Sequence, residues 1–268
     1  MFSVVIPIGP NRDARHALGS LLQSGLTEAD EVLLIGDGFT PAISEEFKCL
    51  PITLHTTHGA LGANVARNLG AEKATQPYLC FLDDDDEYLP GALTQLRMTL
   101  LSRPSLAVCS LSWKMLSGRL MPNKRVKKQF TENDIWKRNI AGGCSSMVLK
   151  KSAFEDVDGF DPDMKSMQDW DLWIRLSRQF PINIIVEPHI LYRDHDGARI
   201  STNRTRKIAG LMRLLEKNMS SWPNRVCAFH RARIASLRFV AGEVSWFSIF
   251  QPKAPLASIV FAFKVLFR

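Results

Sequence analysis

Residues 78–87 read Tyr78-Leu79-Cys80-Phe81-Leu82-Asp83-Asp84-Asp85-Asp86-Glu87, so that five apolar or aromatic residues lead directly into five acidic ones. The apolar half predicts a buried strand, and the acidic half predicts the loop that follows it. In an open α/β sheet, ligands bind beyond the carboxyl ends of the strands. Mg²⁺ and Mn²⁺ prefer oxygen ligands, so the carboxylates indicate a metal site for a phosphorylated substrate. A solvated acidic loop ahead of a helix near Pro90 would have the same composition.

The rest of the first 200 residues alternates between strand and helix patterns. Six further apolar segments predict strands, at 2–8, 31–35, 52–55, 106–113, 145–149 and 182–186. Helical patterning predicts helices at 11–23, 90–101 and 168–178, and a glycine-rich entry followed by a helix at 59–74. Nearly continuous apolar strands are typical of parallel sheets that are covered on both faces. The predicted fold class is therefore α/β, with a mostly parallel sheet flanked by helices.

Charge is distributed unevenly along the chain. The net charge of the 268 residues is +7, but residues 1–100 carry six Lys or Arg against thirteen Asp or Glu, and the remainder carries 28 against 14. A basic second half indicates an anionic partner, such as nucleotide phosphates, anionic lipid or nucleic acid. The five cysteines form no Cys-x-x-Cys pair. They favour a reducing cytoplasm over a disulfide scaffold or a zinc site.

The chain is predicted to divide into an α/β domain (1–200) and a helical, basic and apolar extension (201–268). The last fourteen residues, 255–268, combine apolar and aromatic residues with Lys264 and Arg268. This tail is too short to span a membrane; it either lies in the membrane interface or docks as a helix on the domain. The basic cluster 124–128 has the composition of a solvated loop. No basic region precedes the first strand, so no signal peptide is expected.

Taken in order, the short motifs of the chain resemble those of the family 2 glycosyltransferases with the GT-A fold, over roughly residues 2–200. The motifs are Ser3–Pro7, Ile35–Gly38, Ala66–Gly70, Phe81–Asp86, Gly142–Ser146, Gly159–Asp161 and Gln168–Trp173. The resemblance implies a Rossmann-like sheet. It also implies an enzyme that moves a sugar from a nucleotide-diphosphate donor, most often a UDP-sugar, to an acceptor with inversion at the anomeric carbon. Mn²⁺ or Mg²⁺ is the implied cofactor.

The resemblance also implies a donor site. Its donor-binding residues would be Pro7, Asp37, Arg67, Asp83, Asp84 and Arg193, and its metal ligands Asp85 and His195. A carboxylate such as Asp37 accepts a hydrogen bond from a base N–H, and a guanidinium such as Arg67 suits a diphosphate. Gly36 and Phe39 replace the acid and serine that usually flank the family's aspartate. Alternatively, Asp37 only forms a turn, Arg67 lies on a helix surface, and His195 is an ordinary loop histidine.

Asp169 is the predicted catalytic base. Inversion in a single displacement needs one carboxylate to accept the proton of the acceptor hydroxyl, and an Asp with a pKa of ~3.9 is ionised at pH 7. The family usually has Glu-Asp where this chain has Gln168-Asp169. A helix-capping role is the alternative. Asp171, Trp170 and Trp173 are predicted to be structural. The family's acceptor-side loop corresponds to Gly142, Gly143 and Ser145.

The leading hypothesis is a cytoplasmic transferase for a bacterial-type surface polysaccharide. Its acceptor would be a glycan or a lipid-linked saccharide of lipopolysaccharide type, at the inner face of the membrane, with peripheral contact through the tail. A sugar-phosphate nucleotidyltransferase is one alternative, although Gly9-Pro10-Asn11-Arg12 is a poor phosphate loop. A basic nucleic-acid-binding module is another. The chain has no recognised nucleic-acid motif and its acidic first half would repel phosphate, so no nucleic-acid partner is expected.

Overall fold

The computed structural model describes residues 1–115, 120–121, 129–192 and 204–243. Its strands are β1 (Phe2–Ile8), β2 (Glu31–Gly36), β3 (Ile52–Thr56), β4 (Tyr78–Phe81), β5 (Glu87–Tyr88), β6 (Val108–Met115), β7 (Leu120–Met121), β8 (Gln129–Phe130), β9 (Met147–Lys150) and β10 (Ile182–Tyr192). Its α-helices are α1 (Arg15–Leu21), α2 (Ala63–Lys73), α3 (Ala92–Ser102), α4 (Glu132–Ile135), α5 (Lys151–Glu155), α6 (Gln168–Gln179), α7 (Arg204–Asn218) and α8 (Asn224–Val240).

The strands form one mixed sheet in the order β3-β2-β1-β4-β9-β6-β10-β5, with β7 beside β6 and β8 beside β10. Strands β3, β2, β1 and β4 are mutually parallel, and Val4 of β1 lies between Val32 and Cys80 of its neighbours. Their carboxyl ends therefore meet at one edge of the sheet. Beyond them, β9 runs antiparallel to both β4 and β6, while β6 and β10 are parallel to each other.

Both faces of the sheet are covered, as the apolar strands predict. Val5, Leu79 and Phe81 belong to a core cluster that also contains residues of α2, α6, α7 and α8. Val4 and Cys80, one position along their strands, belong to a second cluster with residues of α1 and α3. Successive side chains of a strand point to opposite faces, so each of these strands contributes to both clusters. The predicted α/β class is confirmed.

Helices α7 and α8 pack against the α/β core. Lys217 Nζ of α7 lies 2.7 Å from carboxylate oxygens of both Asp161 and Asp171. Arg178 Nη2 of α6 donates to Asn218 Oδ1 at 2.7 Å. The predicted helical character of the extension holds for its described part. The tail 255–268 and the basic cluster 124–128 lie outside the described residues. Among the residues that are described, no helix has the length and apolarity to cross a membrane.

Several predicted boundaries differ from the structure by two or more residues, and two of these differences have a clear local reason. Helix α1 begins at Arg15 and not at residue 11, because Asn11 takes a left-handed φ of 61° in a turn. Strand β10 continues past the predicted end at residue 186 to Tyr192. Its register against β6 is irregular around Pro188, which has no N–H to donate to the sheet. The short elements β5, α4 and α5 have too few residues for a sequence period.

Helix α2 lies close to the sheet at Gly70, where a Cβ would stand 2.3 Å from Val5 Cγ1. We expect Gly70→Ala to lower the free energy of unfolding by about 2 kcal/mol, because overpacking displaces the helix. Gly19→Ala is the matched control, since a Cβ at Gly19 in α1 meets no atom within 4 Å. That control should be neutral or stabilising by up to about 1 kcal/mol. Urea denaturation measures both, and equal stability of the two variants would contradict the expectation.

Candidate active site

The polar residues singled out in the sequence converge at the carboxyl ends of the parallel strands. Asp37 follows β2, and the acidic loop 83–86 follows β4. Arg67 reaches the loop from α2, and its Nη2 donates to Asp83 Oδ1 at 2.5 Å. Asp169 lies in the first turn of α6. The structure thus brings together four regions that are separated by up to 132 positions in the sequence.

The acidic loop carries a group of carboxylates suited to a divalent cation. Asp83, Asp85 and Asp86 each offer one oxygen, and these oxygens lie within 4.8 Å of one another. Hard oxygen donors at this spacing fit Mg²⁺ or Mn²⁺. Ser145 braces the loop, because its Oγ donates to Asp86 and accepts from the Asp83 backbone N–H at 3.0 Å. Asp86 and Ser145 were not among the predicted ligand or loop-supporting residues.

Arg67 is buried, with 3% of its surface exposed. Besides Asp83 it contacts Asn64 Oδ1 at 3.4 Å, and its guanidinium carbon lies 5.3 Å from the Phe160 ring centroid. Burial is the largest single influence and would lower the pKa of Arg67, but the charge of Asp83, the hydrogen bond to Asp83 and the charge of Asp169 act together against it, so that the pKa lies above the ordinary value. Arg67 is therefore a fixed positive charge beneath the acidic loop, and the structure places it inside the site and not on a helix surface.

Asp84 is not part of this group of three carboxylates. Arg12, in the loop after β1, donates through Nε to Asp84 Oδ2 at 2.7 Å and through Nη2 to Asp85 Oδ2 at 2.7 Å. Burial raises the pKa of Asp84 to about 6, against the opposing effect of Arg12. Three of the four consecutive aspartates thus lie close enough to share a cation. Arg12 holds the fourth, Asp84, through two contacts and also holds Asp85 through one.

Asp169, the predicted base, is held by two hydrogen-bond donors. Asn139 Nδ2 donates to its Oδ2 at 2.8 Å, and the Trp170 backbone N–H donates to its Oδ1 at 2.8 Å. Burial raises the pKa of Asp169 to about 6, while these donors and the charge of Arg67 oppose the rise. The N-cap of α6 is Met167, not Asp169. A carboxylate with a pKa near 6 is ionised at neutral pH and is a better proton acceptor than an ordinary Asp.

Asn139 was not among the predicted site residues, and its side chain connects Asp169 to the predicted acceptor-side loop. Its Nδ2 also donates to the Gly142 carbonyl at 2.8 Å, and its Oδ1 accepts from the backbone N–H groups of Ala141 and Gly142. The Trp173 indole donates to the same Gly142 carbonyl at 2.9 Å. The only sequence signal for Asn139 is its position three residues before the Gly142-Gly143 pair.

Neighbouring side chains hold α6, and the loop before it, in place around Asp169. Asp171 is 1% exposed and is held by Arg175 Nη2 at 2.8 Å and by Lys217, so its predicted structural role is confirmed. Trp170 and Trp173 are buried in the core. Asn68 of α2 pairs with both backbone groups of Phe160 at 2.7 and 2.9 Å, which anchors the loop ahead of α6.

Asp37 anchors a second loop. Its carboxylate accepts from the backbone N–H groups of Leu61 and Gly62 at 2.7–3.0 Å and from Thr57 Oγ1 at 3.2 Å. These bonds hold the glycine-rich entry to α2. Pro7 is buried in β1 opposite Ile35. Arg193 and His195 lie outside the described residues.

A mixed α/β sheet with an acidic loop after its central parallel strand is the architecture of a GT-A glycosyltransferase. The family model "Glycosyl transferase family 2" matches residues 3–158, more than half of the chain. The chain therefore belongs to glycosyl transferase family 2, as its motif order predicted. The match ends before α6, so the assignment of Asp169 depends on the motif and on the geometry.

Curated relatives agree with this family. The chain is 25% identical over 185 residues to the Escherichia coli UDP-Glc:alpha-D-GlcNAc-diphosphoundecaprenol beta-1,3-glucosyltransferase WfgD, covering 66% of this chain and 71% of WfgD. It is 23% identical over 186 residues to a Haemophilus influenzae glycosyltransferase, covering 67% of this chain and 63% of that protein. It is 35% identical over 119 residues to Escherichia coli YibD, covering 41% of this chain and 34% of YibD.

Solved structures share the fold. S. aureus TarS in complex with UDP-GlcNAc matches with a TM-score of 0.67 at 16% identity, over 99% of this chain and 79% of that chain. The TarS complex with UDP matches with a TM-score of 0.64 at 14% identity, over 92% of this chain and 76% of that chain. The predicted GT-A fold is confirmed.

We expect Asn139→Ala to raise the pKa of Asp169 above about 6. The amide donates to the charged form of the carboxylate, so its removal favours the protonated form. Carboxyl ¹³C NMR titration of Asp169 measures the change. The control is Asn183→Ala, because Asn183 pairs with Gln129 Nε2 at 3.2 Å and not with Asp169. An unchanged or lower pKa in Asn139→Ala would show that the amide does not stabilise the carboxylate.

Proposed function

We propose that this glycosyltransferase moves a sugar from a UDP-sugar to a saccharide or lipid-linked saccharide, with inversion at the anomeric carbon. One observation carries the proposal. Arg67 donates a hydrogen bond to Asp83 of the acidic loop, and the positive charge of Arg67 also opposes the rise in the pKa of Asp169. A base and an acidic donor site therefore share one buried cation. The TarS complexes with UDP-GlcNAc and UDP, and the UDP-glucose donor in the name of WfgD, support a UDP-sugar.

In the proposed reaction, Asp169 accepts the proton of the acceptor hydroxyl while that oxygen attacks the anomeric carbon. The bond from this carbon to the diphosphate oxygen breaks, and the nucleoside diphosphate leaves with the bonding electron pair. Asn139 holds the Asp169 carboxylate in place at 2.8 Å. Asp83, Asp85 and Asp86 would hold Mn²⁺ or Mg²⁺, which when bound supplies positive charge to the departing diphosphate. Asp37 would contact the base, and Asp84 and Pro7 would border the donor.

The acceptor and its location belong to the same proposal. The name of WfgD gives its acceptor as a diphosphoundecaprenol-linked GlcNAc, which supports a lipid-linked acceptor here. Arg204, Arg225 and Arg231 are exposed on α7 and α8, and such side chains favour contact with an anionic membrane surface. We therefore propose a role in cell-surface polysaccharide biosynthesis at the inner face of the membrane. Arg193 and His195 remain proposed donor and metal contacts, and 1–200 remains the proposed catalytic domain.

The donor site is tested by calorimetric binding of UDP in Mn²⁺ and in EDTA. We expect UDP binding to weaken by at least about tenfold in EDTA, because the carboxylates then repel the diphosphate. Asp85→Asn should reduce this metal dependence. Asp163→Asn is the control with the same charge change, because the Asp163 side chain is 80% exposed. Equal UDP affinity in Mn²⁺ and EDTA, or equal behaviour of the two variants, would contradict the proposed site.

The base is tested by Asp169→Asn. We expect UDP release from UDP-glucose, with a GlcNAc-diphospholipid analogue as acceptor, to fall by at least about a hundredfold while UDP affinity stays unchanged. In the unaltered protein, kcat/KM should fall by about tenfold per pH unit below pH 6, because the protonated base cannot accept a proton. Loss of UDP binding in Asp169→Asn would instead give Asp169 a structural role.

A further inference from the structure

Arg12 touches the acidic loop, yet the proposed transfer step does not use it. It follows β1 in a turn in which its backbone N–H donates to the Gly9 carbonyl at 3.2 Å and Asn11 has a φ of 61°. The turn directs the guanidinium toward the loop after β4, 72 positions further along the chain. The segment that resembles a poor phosphate loop therefore supplies a cation to the carboxylates.

The guanidinium holds two carboxylates unequally. Its Nε and Nη2 contact the two oxygens of Asp84 at 2.7 and 2.6 Å, which is a forked pair with a nearly buried partner. The same Nη2 contacts a single oxygen of Asp85 at 2.7 Å, and the Asp85 side chain is 31% exposed. The fork to Asp84 is the stronger contact. The contact with Asp85 can therefore be lost while Arg12 stays in place.

Asp85 is also one of the three carboxylates that are arranged for a divalent cation. An ion bound there would share the Asp85 carboxylate with Arg12. It would then lie close to the guanidinium, and two positive charges at such a distance repel each other. A diphosphate placed over both cations would remove the repulsion, because it carries negative charge to each of them.

We propose that Arg12 competes with the divalent cation for Asp85 and favours joint binding of the cation and the nucleoside diphosphate. This inference rests on the proposed donor site. Arg12 disfavours the cation alone, and it attracts the diphosphate once the cation is bound. Arg12 is thus a positioning residue that couples the two ligands, and Asp84 is the carboxylate that keeps it beside the site.

The test is a titration of the full chain with Mn²⁺ alone, followed by electron paramagnetic resonance of the free ion. We expect Arg12→Gln to bind Mn²⁺ about tenfold more tightly than the unaltered protein, because a competing cation is gone. Arg15→Gln is the matched control, since Arg15 has a 70% exposed side chain and pairs with Asp13, which is not in the acidic loop. It should bind Mn²⁺ as the unaltered protein does. A merely structural role of Arg12 would weaken Mn²⁺ binding, not tighten it.

A second measurement separates this inference from the proposed function. At saturating Mn²⁺, Arg12→Gln should bind UDP about tenfold more weakly than the unaltered protein. Arg12→Lys retains the charge but not the forked contact. Its affinities for Mn²⁺ and for UDP should lie between those of Arg12→Gln and those of the unaltered protein. Metal-dependent UDP binding with the same Mn²⁺ affinity in all variants would overturn only the role of Arg12. Absence of Mn²⁺ binding from every variant, with and without UDP, would overturn both.

Discussion

The ion pair between the buried Arg67 and the partly exposed Asp83 is the interaction on which the site depends. A guanidinium taken out of water is costly unless a carboxylate and further polar contacts compensate it. Here the compensation comes from Asp83 at 2.5 Å, Asn64 at 3.4 Å and the face of the Phe160 ring. These partners come from the loop after β4, from α2 and from the loop before α6. One charge therefore fixes the relative positions of the three segments that form the site.

The charges of the acidic loop are likewise compensated by side chains from other segments. Four adjacent aspartates would repel one another in an isolated peptide, and in the fold each of them has a partner that donates to it. Arg67 serves Asp83, Arg12 serves Asp84 and Asp85, and the Ser145 hydroxyl donates to Asp86. Such a loop is held in shape before any ligand arrives. Preorganised charge of this kind is what a site needs to stabilise a departing diphosphate without first rearranging.

The C-terminal helices contribute to the site indirectly. Lys217 of α7 neutralises Asp171 of α6 and Asp161 of the preceding loop at 2.7 Å each. Asn68 of α2 holds the other side of this loop through Phe160. Contacts from α7 and from α2 thus hold α6 and the loop before it. They therefore also fix the position of Asp169, which lies in the first turn of α6. These contacts pack α7, in the described part of the basic extension, against the core, although α7 supplies none of the proposed catalytic groups.

Sequence alone determined the elements whose signals are local. Apolar runs located β1, β2 and β4 almost to the residue, because side-chain period is a property of neighbouring residues. The resemblance of the motifs to family 2 singled out the acidic loop, Arg67 and Asp169 as candidates. Tertiary structure alone decided which charge meets which. The contacts of Asn139 with Asp169, Ser145 with Asp86 and Arg12 with Asp84 span 30, 59 and 72 positions. No local pattern encodes such pairs, since they arise only when the folded sheet brings distant loops to one edge.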